Sequence, residues 1–130
     1  MNSIIPHIVI VEGEFLIALE AEFFIKNAIE SRISLVRMEQ LDEWSDEALK
    51  TATLCLLDVP LDPSAVLLRA RRLADLGVSV LFTTVSEEYR HGVAGFETIP
   101  VITKPYDGDA LVRTIRSLLS VDEPSRQASP

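Results

Sequence analysis

The sequence predicts an α/β protein, a doubly wound parallel sheet of five strands, on three observations. The stretch Thr53 to Asp58 (TLCLLD) is an apolar run closed by a single carboxylate, the pattern of a strand covered on both faces that stops where water begins. Three other apolar runs end similarly: His7 to Val11 in Glu12, Val78 to Phe82 in Thr83 and Thr84, and Ile99 to Ile102 in Thr103, Lys104 and Pro105. Between the runs lie segments of helical spacing, so five strands alternate with five helices through right-handed crossovers.

Taken in order, Ile8 to Val11 form the first strand, after Pro6. Glu14 to about Ser31 form a long helix with Leu16, Leu19, Phe23 and Ile29 on one face and Phe15, Phe24 and Ile25 off it. Ile33 to Met38 make a second strand, placed at an edge because Arg32 and Arg37 flank it. Gln40 to Lys50 carry Leu41, Trp44 and Ala48 at helical spacing, and Trp44 reads as core packing. Asp62 caps a third helix whose first position is Pro63, and Gly77 closes it in the left-handed conformation. Val78 to Phe82 make the fourth strand. Ser86 caps a short helix that Gly92 and Gly95 loosen, because glycine costs ~1 kcal/mol against alanine in a helix interior. Val101 and Ile102 belong to the fifth strand, and Asp107 caps the last helix, Gly108 to Val121. The result is one domain over residues 1–121 and a polar tail, residues 122–130, expected to be disordered.

Composition narrows the function. A chain of 130 residues, 48% apolar and 25% charged, is a globular domain with room for one core. A net charge of −8 argues against a nucleic-acid backbone as direct partner, since phosphate binding draws on clustered Lys and Arg. The one cysteine, Cys55, lies mid-strand and has no partner for an internal disulfide, which fits a reducing cytoplasm and a small buried apolar role. No apolar run approaches the ~18 residues of a membrane helix, and MNSIIPHIVIV lacks a basic n-region, so no membrane contact is expected. His7 and His91 carry no assigned role.

Chemistry in open parallel sheets collects outside the carboxyl ends of the strands, which singles out Asp58, Glu12, Lys104 and a hydroxyl at the end of the fourth strand. That hydroxyl is Thr84, or Thr83 if the strand is shifted by one. The plain alternatives are a capping Asp58, a strand-forming Thr84 and a solvated Lys104.

In these motifs the chain resembles the receiver domain of bacterial two-component response regulators, over its whole folded length. The matching pieces are the acidic turn VEGE (Glu12 to Glu14), LLDV around Asp58, Thr84, and TKPY with Lys104 and Pro105. The resemblance, and not the residues themselves, implies a flavodoxin-like sheet of order 2-1-3-4-5. It implies a single-domain response regulator in a phosphorelay, a signalling protein and not an enzyme. Asp58 would accept a phosphoryl group from a histidine kinase or phosphotransfer protein, while Thr84 and Lys104 hold the phosphoryl oxygens. Mg²⁺ would rest on Glu12 (directly or through water), Asp58 and the backbone carbonyl of Pro60. The Lys104-Pro105 bond would be cis.

Two positions depart from that pattern. Gly13 stands where receivers carry a second acidic metal ligand, so Mg²⁺ binding is expected to be weak. Val101 stands where they carry the Tyr or Phe that reports the switch. The alternative function is therefore a degenerate receiver that binds partners without phosphorylation. A flavodoxin-like nucleotide binder is disfavoured, because no Gly-rich phosphate loop follows the first strand. Val112 and Leu119 form an apolar stripe on the last helix, with Arg113 and Arg116 beside it to meet Glu87 and Glu88 of a second copy, so a weak homodimer is expected.

Overall fold

Residues 5–121 are described by the structure, a computed structural model. Five parallel strands form one sheet: β1 (His7–Val11), β2 (Arg32–Val36), β3 (Leu54–Asp58), β4 (Ser79–Thr84) and β5 (Val101–Thr103). Their order is β2-β1-β3-β4-β5, as the resemblance implied. The central β3 buries Leu54, Cys55, Leu56 and Leu57 completely and lets only Asp58 reach solvent.

Alternation along the strands divides the core in two. Ile8, Ile10, Leu54, Leu56 and Leu81 pack beneath α1 (Phe15–Lys26) and α5 (Gly108–Val121). Val9, Val11, Cys55, Leu57, Val80 and Phe82 face α2 (Met38–Asp42), α3 (Asp46–Leu49) and α4 (Ser64–Asp75). Each fully buried aliphatic side chain stabilises the fold by roughly 1.5–3 kcal/mol. Burial pushes the Cys55 thiol up to about 12, which makes it a packing residue with no thiolate to react.

Several elements differ from the sequence expectation. α1 ends at Lys26, and its buried face is Ala18, Ala21 and Ile25, while Phe15, Leu16, Leu19 and Phe23 are exposed. The small residues let the helix lie close on the sheet, so the large ones face outward, the reverse of the predicted face. The approach of α1 to α5 is equally tight: a Cβ added at Gly108 would come within 2.5 Å of the Phe24 ring. The segment expected as one helix over Gln40–Lys50 is split into α2 and α3, because the Ser45 hydroxyl accepts from the Ala48 N–H at 3.1 Å and starts a new helix there. α4 begins one residue later than expected, with Pro63 in the cap position, while Asp62 Oδ1 accepts from the Ser64 N–H at 3.1 Å just before it, and Gly77 follows the helix at φ +83°. β4 runs two residues further than expected, to Thr84.

The short helix expected after Ser86 is absent among the described residues. Ser86 caps, at 3.2 Å to the Glu88 N–H, only a single 3-10 turn, Glu87–Tyr89. Gly92 and Gly95, at φ +128° and +87°, then bend the chain out of any helical path. Tyr89 and Val93, with Phe96 and Ile99, cover β4 and β5 from this irregular segment instead. On α5, Leu111 and Ile115 are buried as expected, and Val112 and Leu119 are half-buried. The expected tail, 122–130, lies outside the described residues.

At the amino end of β1, His7 is buried, pairs its Nε2 with the Ser34 hydroxyl at 2.8 Å and stacks on Trp44. Its Nδ1 has no hydrogen-bond partner of good geometry, although the Thr51 main chain lies near. Burial first, and Arg32 second, hold its pKa below the usual 6.5. The unfolded chain therefore takes up the proton first, and the stability due to neutral His7 is complete above pH 6.5 and lost as the pH falls. Thermal midpoints measured from about pH 8 to pH 5 are expected to decline on the acid side and to decline less in His7→Gln.

Candidate functional site

The crevice at the carboxyl ends of β1, β3 and β5 is built around one ammonium. Lys104 Nζ donates to Glu12 Oε1 and to Asp58 Oδ1, each at 2.7 Å. The lysine and Glu12 side chains are 4% and 3% exposed, whereas that of Asp58 is 29% exposed and opens to solvent. The turn after β1 is set by Glu12, whose Oε2 accepts from the Glu14 N–H at 3.0 Å. Lys104 enters directly from β5, its N–H donating to the Thr84 carbonyl at 2.8 Å, and the following Lys104-Pro105 bond is cis as expected. Three of the residues singled out from the sequence are thus together.

The electrostatics are uneven. Burial pushes Asp58 above the usual carboxylate range, its bonds to Lys104 oppose this, and the charges of Glu12 and Glu14 add to it. Burial works to lower Lys104 as well, but its bonds to Asp58 and Glu12 prevail and hold it above its ordinary value. Asp58 is raised chiefly by burial and Lys104 by its two anionic partners. The ammonium has two anionic partners while each carboxylate has a share of one cation, so one negative charge stays uncompensated in the crevice.

That residual charge suits a hard cation, and the donor set bears on which. Glu12 already gives both oxygens to protein donors, and Gly13 supplies none. Among the described residues no group of three or more His, Cys, Asp or Glu side chains is arranged to hold a metal ion. Asp58, with the exposed Pro60 beyond it, fits a cation that keeps most of its waters, which is the habit of Mg²⁺. Gly13 is not needed for backbone geometry: its φ is ordinary and a Cβ there would meet nothing within 4 Å.

The hydroxyls separate. Thr84 is fully buried, donates to the Val59 carbonyl at 3.2 Å and accepts from the Ser86 N–H at 3.0 Å. Thr83, buried as well, is the register partner of Asp58. Tyr106, the last letter of TKPY, packs against the core beneath α1 and α5. Burial pushes its phenol up strongly, and the negative charges of Glu12, Asp58 and Glu20 add to this. Val101 is half-buried beside Phe82 and brings no ring to the site.

No protein-family model and no curated protein matches the sequence. Solved structures do. A response regulator receiver protein from Sinorhizobium medicae is 17% identical with a TM-score of 0.70, over 92% of this chain and 98% of that one. A response regulator from Thermotoga maritima is 15% identical at 0.66, over 90% and 99%. A pilus assembly-related protein from Burkholderia pseudomallei is 22% identical at 0.65, over 89% and 90%. The protein has the receiver fold of response regulators. At such identities the likeness establishes the fold and leaves the chemistry to the residues.

Two outcomes follow. In the fold the ionised form of Asp58 is disfavoured, so its contribution to stability is present below pH 3.8 and lost as the pH rises through its raised folded value. Asp58→Asn leaves Lys104 paired with Glu12 and is expected to raise the melting temperature by a few degrees at neutral pH, with the gain vanishing in acid; calorimetry at both pH values checks this. Gly13→Asp adds an oxygen donor where there is room, and is expected to tighten Mg²⁺ binding by roughly ten-fold or more. Amide shifts around Asp58 are the readout, because Trp44 lies at the opposite end of the sheet.

Proposed function

We propose that the protein is a receiver that accepts a phosphoryl group on Asp58 in two-component signalling. The observation that carries this is a strand-end carboxylate open to solvent in a crevice whose ammonium sits 2.7 Å away. An Asp58 oxygen attacks the phosphorus of a phosphohistidine on a kinase or phosphotransfer protein. The P–N bond breaks, its electron pair stays on the imidazole nitrogen, which then takes a proton from water, and an acyl phosphate is left on Asp58. Lys104 holds charge against the transferring oxygens, and Glu12 holds Lys104. A bound Mg²⁺, on Asp58 with the Pro60 carbonyl and Glu12 through water, supplies Lewis-acid neutralisation of the same oxygens.

The partner surface in this reading is the start of α1, where exposed Phe15 and Leu16 follow directly on the Glu12 turn. A weak two-fold pairing through α5 draws on Arg113, Arg116 and the half-buried Val112 and Leu119, without a facing helix to carry Glu87 and Glu88. Nucleic acid is not a partner at a net charge of −8, and among the described residues no helix is long and apolar enough to cross a membrane.

A second reading, an interaction module that works without phosphorylation, is favoured by Gly13, by Val101 and by a Thr84 hydroxyl engaged with the main chain. Intact mass after incubation with Mg²⁺ and a small acyl phosphate separates the two. The first reading expects one added phosphoryl group, absent from Asp58→Asn; no adduct on the wild type, or an equal one on the variant, supports the second.

A further inference from the structure

The chain between Asp58 and α4 is held from one side, by β4 and the turn after it. Val59 is buried, its N–H donates to the Thr83 carbonyl at 2.7 Å, and its carbonyl accepts from the Thr84 hydroxyl at 3.2 Å. Beyond it Pro60, Leu61 and Asp62 are exposed, so packing does little to anchor this stretch. Its long-range anchor is a second side chain: the Tyr89 phenol donates to the Leu61 carbonyl at 2.7 Å. Pro60 therefore lies between two tethered carbonyls, with its own φ fixed by the ring. Little freedom is left to the Pro60 carbonyl.

Tyr89 is delivered by the turn that replaces a helix. The Ser86 N–H is bonded to the Thr84 hydroxyl at 3.0 Å, the Ser86 carbonyl accepts from the Tyr89 N–H at 3.3 Å, and the Tyr89 ring is buried in one cluster with Val59, Phe82 and Val93. Packing accounts for the ring. It does not account for the hydroxyl, since phenylalanine would fill the same space and leave the Leu61 carbonyl to water.

We propose that Tyr89 is a positioning residue for the cation site: its hydroxyl holds the Leu61 carbonyl and so presets the Pro60 carbonyl two residues beyond Asp58. This rests on the cation reading above, and Thr84 keeps its role on the phosphoryl group. Once Thr84 turns its hydroxyl to a phosphoryl oxygen, a charged acceptor stronger than the Val59 carbonyl, Tyr89 is the side-chain tether that remains on the loop. Tyr89 thus matters more with the phosphoryl group in place than with the cation alone. The coupling is reciprocal. A bond that favours the cation is itself favoured by the cation to the same factor, so the turn Glu87–Tyr89 registers its arrival.

The test titrates the full chain with Mg²⁺, alone and with beryllofluoride, a phosphoryl mimic, and reads backbone amide shifts. Tyr89→Phe keeps the ring and removes only the hydroxyl. It is expected to weaken Mg²⁺ binding about five-fold, and about ten-fold or more when beryllofluoride is present. In the wild type Mg²⁺ shifts the amides of residues 86–90 together with those of 58–61, and in Tyr89→Phe the first group no longer responds. Val93→Ala loosens the same packing without touching the Leu61 bond, and is expected to lower the melting temperature while leaving Mg²⁺ affinity within about two-fold. A purely structural Tyr89 would make the two variants alike, lowering the melting temperature of each and moving affinity equally or not at all, and that result overturns the proposal. So does a Tyr89→Phe loss no larger with beryllofluoride than without it. If Mg²⁺ leaves residues 58–61 of the wild type unmoved, the cation reading falls and the proposal with it; unchanged binding in Tyr89→Phe beside a responsive wild type sinks the proposal alone.

Discussion

A single ammonium shared by two carboxylates holds the carboxyl end of this sheet together. Lys104 closes the distance between the ends of β1, β3 and β5, and it does so almost completely removed from water. Burying one carboxylate with one lysine would leave a neutral pair of little use. The second carboxylate leaves the crevice negative, with Asp58 as the member nearest solvent and the one whose charge costs most. A site of this kind is destabilised in its resting form, and anything that brings positive charge or removes negative charge relaxes it. The strands beneath supply the rigidity this requires, since the residues under Asp58 are fully buried on both faces.

Much of the frame was legible because buried parallel strands write themselves as apolar runs. TLCLLD and the runs before Glu12 and Lys104 identified three strands and the residues at their ends, since a strand covered on both faces admits no polar residue until it leaves the core. Helix ends were readable to within a residue near Asp62, Asp107 and Gly77, where one side chain or one backbone angle decides the boundary. Helix faces were not. In α1 nearly every position is apolar, so periodicity could not tell which set faces inward, and the choice fell to Ala18 and Ala21 because small residues permit close approach to the sheet. The split at Ser45 and the missing helix after Ser86 both came from local hydrogen bonds that outcompete a weak helical pattern.

Within the site, the charged residues were legible and the hydroxyls were not. Asp58, Glu12 and Lys104 were found because each is the first polar residue after an apolar run. The Thr83-Thr84 pair offers the same chemistry twice, and only the pleat distinguishes them. Tyr106 follows Lys104 by two residues and packs against the core beneath α1 and α5. The open space at Gly13 was also beyond reach of the sequence, where a glycine reads as readily as a conformational need as a missing side chain.

The irregular connection between β4 and β5 has a consequence for the order of assembly. β5 is a three-residue strand at the sheet edge, paired on one side only, and the segment that delivers it has one 3-10 turn and two glycines bent into positive φ. Such a strand has few local contacts to hold it in advance, so it docks on β4 after the rest of the sheet has formed and is among the first parts to detach in local opening. Lys104 sits immediately beyond it. Glu12 and Asp58 are therefore brought together by the early sheet as two like charges and receive their cation last, which makes completion of the crevice the closing event of folding and its integrity the most sensitive gauge of whether this edge is in place.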